Sequence, residues 1–117
     1  MKTLAQIRAA NALRCYGRDF GGEEGGEIIN KLPARILNDG LLASLAFCHE
    51  KGGDHVEVAT LVAEHLAHRA PDGNIAITQH RDVVGLIQEL ANGDAALLRR
   101  ATAETIALLN YMKRFAG

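Results

Sequence analysis

The sequence contains 117 residues, of which 48% are hydrophobic and 4% aromatic, and its formal net charge is −1. A chain of this length is predicted to form one domain, residues 1–117, which buries roughly two-thirds of its unfolded surface without disulfides or metals. Because it has two isolated cysteines, no signal-like segment and no apolar run near the ~18 residues of a membrane span, we expect a cytoplasmic protein without a membrane partner.

Abundant alanine and leucine, few prolines and the spacing of apolar residues predict an all-α protein, a single compact bundle of about five to six helices. The first helix is predicted over residues 3–16, with Thr3 as its N-cap. Residues 17–26 are predicted to form a flexible glycine-rich loop, which lacks the preceding strand and the Lys-Ser/Thr pair of a phosphate-binding loop. The second helix is predicted over residues 27–38, where Pro33 indicates either a new helix start or a kink.

Three further helices are predicted before the C-terminal one. They cover residues 41–51, 54–69 and 79–91. Gly52 is expected to end the first of them, while Asp54 and Thr78 are the expected N-caps of the other two. The segment 75–77 is too short to assign, because it fits either an extended tether or a single helical turn.

The long C-terminal helix, Leu97 to Phe115, is the element around which the bundle is predicted to be organised. Asp94 is its expected N-cap, and its apolar stripe has the helical spacing of three and four positions. The stripe contains Leu98, Ala101, Thr105, Leu108, Met112 and Phe115. The opposite arc contains Arg99, Arg100, Lys113 and Arg114, with Glu104 to one side. This arc is either a solvated face or a surface for a partner, as the apolar Ile106 within it suggests.

Charge is distributed unevenly along the chain. Residues 1–18 carry four basic and no acidic residues, and residues 19–94 carry five basic and thirteen acidic residues. From residue 95 onward, four basic residues meet a single acid. If the first and last helices pack side by side, their basic residues would form one positive patch on an otherwise acidic protein.

No combination of residues predicts catalysis or a metal centre. His65 and His68 lie three apart on one helix, but further ligands at a recognisable spacing are missing. Cys48, which precedes His49, is interpreted as a small core residue, because adjacent residues on a helix point in different directions. We therefore expect a protein that is not an enzyme, with no catalytic residues, no bound metal and no cofactor.

Nucleic-acid binding is better supported by the pattern of basic residues. The pair Arg99 and Arg100 is separated from the pair Lys113 and Arg114 by about four helical turns, roughly 20 Å. That distance would span several phosphates of a strand or duplex. Because no aromatic residues alternate with these bases, we expect contacts with the phosphate backbone that do not depend on nucleotide sequence.

Two segments of the chain carry a specific pattern: LPARILNDGLLASLAFCHEKG, from Leu32 to Gly52, and RRATAETIALLNYMKRFAG at the C-terminus. Together they resemble the small subunit of the type III-B CRISPR effector, the fifth subunit of the Cmr complex. The matching positions are Leu32, Pro33, Ile36, Asn38, Gly40, Leu45, Ala46, Phe47, Arg99 or Arg100, Thr102, Glu104, Leu108, Leu109, Tyr111, Lys113, Arg114, Phe115 and Ala116. The chain departs from the family pattern at Tyr111, where Trp is commoner, and at Leu98, where an aromatic residue often stands.

The resemblance implies an all-helical subunit without nuclease activity of its own, acting in antiviral defence. In that family several copies form a minor filament beside the subunits that hold the guide RNA, and other subunits cleave the target. The implied partners are the backbone and large subunits of the effector, guide RNA, target RNA and further copies of the same subunit. The expected RNA-binding residues are Arg99, Arg100, Lys113 and Arg114, helped by Arg8, Arg14 or Arg35.

Other functions stay open at this point. Within the same family, the basic arc of the last helix could dock a protein subunit instead of RNA. From another class, a helical adaptor or antitoxin-like regulator would form a homodimer through the Ile106 face and bind no RNA. An enzyme is the third alternative, and it would need a pocket with paired carboxylates or a metal.

Overall fold

The computed structural model describes residues 2–17, 27–71 and 75–116. Within these ranges the chain forms six α-helices: α1 Leu4–Ala12, α2 Glu27–Asp39, α3 Leu41–Lys51, α4 Gly53–Leu66, α5 Val83–Asn92 and α6 Ala95–Phe115. The only β pairing in the described part is an isolated bridge between Arg69 and Ile75. The predicted all-α bundle with a long C-terminal helix is therefore confirmed. Most of the predicted glycine-rich loop, from residue 18 to residue 26, lies outside the described residues.

Helix α6 holds the bundle together. It packs against α1, α2 and α4, while α3 packs against α2, α4 and α5. Its buried positions lie three and four residues apart, and they are Ala101, Glu104, Thr105, Leu108, Leu109 and Met112. The middle of the predicted stripe is therefore buried, whereas Leu98 and Phe115 at its ends are half-buried. No helix of the described residues combines the length and apolar character that crossing a bilayer demands.

Side-chain caps fix the starts of the two helices that pack most closely. The Thr3 hydroxyl accepts a hydrogen bond from the Gln6 backbone N–H at 3.1 Å, and the Gln6 side chain accepts one from the Thr3 N–H at 2.8 Å. This reciprocal pair is a capping box and satisfies donors that the first turn of α1 leaves free. At α6, the Asp94 carboxylate accepts from the Leu97 N–H at 2.8 Å. Both predicted N-caps are confirmed.

The turns around α2 and α3 differ in part from expectation. Helix α2 runs through Pro33 without a new start, and the proline ring is buried in the core. Gly40, between α2 and α3, has a φ of 92°, a conformation that glycine adopts without steric cost. Gly52 ends α3 as predicted, but it also serves as the N-cap of α4, so the expected cap at Asp54 is wrong by two residues.

Helix α5 begins later than predicted. Its N-cap is Asp82, and Thr78 is instead a buried residue whose hydroxyl has no hydrogen-bond partner in the described part of the chain. The cause lies in Glu89, whose carboxylate accepts the backbone N–H groups of Gln79 at 2.9 Å and His80 at 3.3 Å. These hydrogen bonds hold residues 79 and 80 outside the helix, and α5 begins at Val83.

The N-cap of α6 yields a stability prediction. Replacing Asp94 with alanine removes the acceptor of the Leu97 N–H, so we expect the free energy of unfolding to fall by about 1 kcal/mol. Chemical denaturation, monitored by far-UV circular dichroism, measures this free energy of unfolding. Asp94→Asn is the matched control, because asparagine retains an acceptor and should cost only a few tenths of a kcal/mol. Equal stability of Asp94→Ala and the unaltered protein would contradict this role of the cap.

Candidate nucleic-acid interface

The outward surface of α6 carries positive charge at both ends. We call it the α6 cationic face, and its four exposed basic residues are Arg99, Arg100, Lys113 and Arg114. Between the two pairs the same arc presents Ala103, Ile106, Ala107 and Asn110, so no carboxylate on this arc offsets the charge. None of the four basic side chains forms an ion pair with any residue in the described ranges.

The geometry of α6 aligns the two pairs of cations. Arg99 and Lys113 are fourteen positions apart, as are Arg100 and Arg114. Fourteen residues make almost four turns, so each basic residue lies about 21 Å along the axis from its counterpart and on nearly the same side. The helix is capped at Asp94 and its inner side is in the core, so the spacing of the charges is held by a rigid element.

The other three basic residues predicted to contact RNA are engaged within the protein. Arg8 donates from Nε and Nη2 to the two carboxylate oxygens of Glu104, both at 2.8 Å. Arg14 pairs with Glu64 at 3.2 Å across an exposed surface. Arg35 lies 3.6 Å from the Asp39 carboxylate and stacks on the ring of Phe47. The structure therefore separates the seven predicted residues into four unpaired cations on α6 and three paired ones elsewhere.

A buried polar network lies directly behind the α6 cationic face. Glu104, with a side chain 7% exposed, accepts the Arg8 guanidinium and also bonds to Nε2 of His65 at 2.9 Å. Nδ1 of His65 lies 2.9 Å from the amide nitrogen of Asn11. Because the ionised carboxylate of Glu104 only accepts, Nε2–H of His65 donates to it, while Nδ1 makes the contact with Asn11. One carboxylate thus connects α6 to α1 and α4.

Glu104 stays ionised despite its burial. Desolvation by itself would raise the pKa of this carboxyl, but hydrogen bonds from Arg8 and His65 outweigh it and lower the pKa from the ordinary 4.5 to about 2. The hydrogen bond that Arg8 donates to Glu104 in turn raises the pKa of Arg8, against the effect of its burial. The guanidinium of Arg8 is therefore paired with the buried carboxylate of Glu104.

Sequence reasoning placed Glu104 beside the basic arc and missed its burial. A signal was present, because Glu104 lies three residues after Ala101 and four before Leu108, the spacing of the buried stripe. An acidic residue at such a position needs a buried partner. The partner could not be identified from the sequence, since Arg8 and Glu104 are separated by 96 positions.

The residues considered for metal binding and catalysis do not assemble into a site. His65 is buried in the Glu104 network, and among the described residues no group of three or more histidine, cysteine or carboxylate side chains could hold a metal ion. Cys48 is buried, and burial raises the pKa of its thiol against the opposing charge of Arg35. A thiol in that environment stays protonated at neutral pH and is a poor nucleophile.

A shallow apolar groove borders the α6 cationic face. It has a volume of about 510 Å³ and lies between the turn that joins α2 to α3 and the first half of α6. Its walls include Leu41, Leu98 and Ile106, with Arg99 at the same site. The positive face and an apolar surface are therefore continuous, so a partner could contact both.

The fold and this surface define a class of protein: a small all-helical protein with a cationic helix face and, in the described residues, no group of side chains that could hold a metal ion. The family model for CRISPR-associated protein (Cas_Cmr5) matches residues 4–117. The chain therefore belongs to the Cas_Cmr5 family. This membership supports a role as a subunit of a CRISPR Cmr complex.

A solved structure gives the same result. The chain is similar to a CRISPR-associated Cmr5 family protein from Thermus thermophilus, with a TM-score of 0.73 and 26% sequence identity. The match covers 98% of this chain and 95% of that one, so the two share the fold over nearly their whole lengths. No curated protein matches the chain significantly by sequence.

The Glu104 network yields a prediction with a pH signature. Replacing Glu104 with glutamine leaves Arg8 without its charged partner, so we expect the free energy of unfolding at pH 7 to fall by about 3 kcal/mol. Because the folded pKa of Glu104 is depressed to about 2, its contribution is complete above pH 4.5 and is lost as the pH falls towards 2. Denaturant titrations between pH 7 and pH 2 measure both effects.

The control for this experiment is Glu50→Gln. Glu50 is exposed on α3 and makes no ion pair within the described residues, so its replacement should change stability by less than about 0.5 kcal/mol. The stability difference between the unaltered protein and Glu104→Gln should narrow as the pH falls below 4.5. A difference that stays constant down to pH 2 would show that the charge of Glu104 is not what stabilises the fold.

Proposed function

We propose that this protein is a non-catalytic small subunit of a type III-B RNA-guided CRISPR effector and that its α6 cationic face contacts the phosphate backbone of guide or target RNA. Copies of the subunit line up as the minor filament, beside the backbone and large subunits, in antiviral defence. The observation that carries the proposal is the charge on α6, where four exposed cations have no partner in the described part of the chain.

The spacing of these cations favours a nucleic-acid backbone. Two pairs of positive charges about 21 Å apart along one side of a helix can contact phosphates separated by several nucleotides. Arginine, present at three of the four positions, binds phosphate through two parallel N–H donors. The face offers no aromatic ring for stacking except the half-buried Tyr111 and Phe115 near its end, so contacts would be insensitive to base identity.

The charge on the rest of the chain also fits an assembly. Residues 19–94 carry thirteen acids against five bases, so the remaining surface is suited to basic neighbouring subunits while α6 is suited to RNA. Separating the two signs in this way steers each partner to its own side of the protein.

A second function has a specific observation in its favour. The apolar groove beside Arg99 would accommodate a protein segment, with the cations of α6 pairing with its carboxylates. In that case α6 docks a neighbouring subunit, or a second copy in a helical adaptor or antitoxin-like regulator, and RNA contacts lie elsewhere. The two functions differ in whether RNA affinity or assembly depends on the α6 cations.

The test removes charge from α6 in the assembled effector. In a complex carrying Arg99→Gln and Arg100→Gln, each lost phosphate contact should reduce the slope of log affinity against log salt by about 0.9 for a duplex, so we expect a reduction of about 1.8 for each copy of the subunit that contacts the duplex. Adding Lys113→Gln and Arg114→Gln should bring the reduction to about 3.6 for each copy. Fluorescence anisotropy of a labelled target RNA over a range of salt concentrations measures the slope.

The matched control is Arg69→Gln with Arg81→Gln. Both arginines are exposed and lie outside α6, and their replacement removes the same charge as the double variant at Arg99 and Arg100. The salt slope should therefore stay unchanged. A normal slope in the four-fold α6 variant, with normal assembly, would overturn the RNA contact. Failure of the variant to enter the complex, with the stability of the free subunit unaltered, would favour the docking function instead.

A further inference from the structure

A second group of basic side chains lies away from α6. A pocket of about 350 Å³ is bounded by α2, the C-terminal half of α3 and the first turn of α4. We call it the Phe47 pocket, and its defining residues are Lys31, Arg35, Phe47, Lys51 and His55. None of these belongs to α6, and only Arg35 was considered for RNA binding from the sequence.

The aromatic ring of Phe47 brings the basic groups together. The Arg35 guanidinium carbon lies 3.7 Å from the ring centroid, and the Lys51 ammonium lies 5.6 Å from it. The imidazole of His55 meets the same ring edge-on, with centroids 5.5 Å apart and an interplanar angle of 82°. Cation–π attraction offsets part of the repulsion between these like-charged neighbours and fixes where they stand.

The carboxylates nearby do not cancel this positive charge. Glu27, the one acidic residue that lines the pocket, pairs with Lys31. The Asp39 carboxylate lies 3.6 Å from Arg35, a loose contact, and Lys51 has no ion pair within the described residues. Lys51 is therefore available to an anion, which would compete with Asp39 for Arg35.

The pKa of His55 is sensitive to burial and to the charges of the pocket. Its pKa is lowered, first by burial and then by the positive charge of Lys51, and Arg35 acts in the same direction. Asp54, the next residue in the chain, acts in the opposite direction without reversing the shift. An anion placed between these groups would be attracted by Arg35 and Lys51 and would favour a protonated His55.

We propose that the Phe47 pocket binds a nucleotide, with a phosphate held by Arg35 and Lys51 and a base stacked on the open face of the Arg35 guanidinium. Guanidinium matches phosphate with paired N–H donors, and its plane is a stacking surface for unpaired bases. Phe47 lies over the guanidinium carbon and the Arg35 side chain is 40% exposed, so solvent reaches the part of the side chain that the ring does not cover. The volume lies at the lower end of the range for small-ligand pockets, about 300 to 1,000 Å³.

A nucleotide fits these features better than a protein carboxylate. A carboxylate would use the two cations, but it would leave the open guanidinium face without a partner. The nucleotide could be part of single-stranded RNA or a free mononucleotide, because both present the same phosphate and base. This site is distinct from the α6 cationic face and remains if that face proves to bind protein.

The experiment follows the imidazole of His55 by NMR in the full chain. Adenosine monophosphate and a six-nucleotide adenylate RNA are titrated separately, with inorganic phosphate and a hexaglutamate peptide as comparison ligands. Bound nucleotide should raise the pKa of His55 by about one unit. Affinity for the RNA well above that for the mononucleotide identifies RNA as the source of the ligand, and equal affinities identify a free nucleotide.

Variants separate the Phe47 pocket from the α6 cationic face. The double variant Arg35→Gln with Lys51→Gln should need at least ten times more nucleotide to produce half of the His55 pKa shift. Arg99→Gln with Arg100→Gln should leave that concentration unchanged. Lys51→Gln alone, at an exposed position, keeps the test valid if the double variant fails to fold. A His55 resonance that does not respond to nucleotide, or that responds equally to hexaglutamate or to inorganic phosphate, would overturn the proposal.

Discussion

The bidentate pair between Arg8 and Glu104 is the interaction on which the arrangement of this protein depends. It joins the first helix to the last across nearly the whole length of the chain, and His65 connects the same carboxylate to α4. An ionised group with a side chain only 7% exposed is tolerated only where hydrogen bonds replace its lost hydration. A single acidic residue therefore fixes α1, α4 and α6 relative to one another.

The same pair explains the charge on the outside of α6. Glu104 is the one acidic residue after position 94, and the fold turns it inward against Arg8. The outer surface of α6 is left with four cations and no acid. Arg8, in contrast, is paired with the buried Glu104. The positive patch expected from the first and last helices together therefore comes mainly from α6. Internal pairing thus decides which basic residues remain available to a partner.

The sequence predicted well what depends on neighbours along the chain. The all-α class, the N-cap at Thr3, the cap at Asp94 and the buried middle of α6 follow from local spacing, and the structure confirms them. Prediction from the sequence failed where a residue farther along the chain determines the local structure. Glu89 holds the backbone of residues 79 and 80 and delays α5, while the partners that Phe47 gathers from α2 and α4 come together only in the fold.

The central claim is that this protein works inside an RNA-guided effector. The most direct measurement is a tagged pull-down from the native cell, with mass spectrometry of the proteins and sequencing of the RNA that co-elute. Recovery of several larger CRISPR subunits together with repeat-derived guide RNA is the predicted result. Recovery of the subunit alone, or with one unrelated protein and no RNA, would contradict the account and favour a helical adaptor.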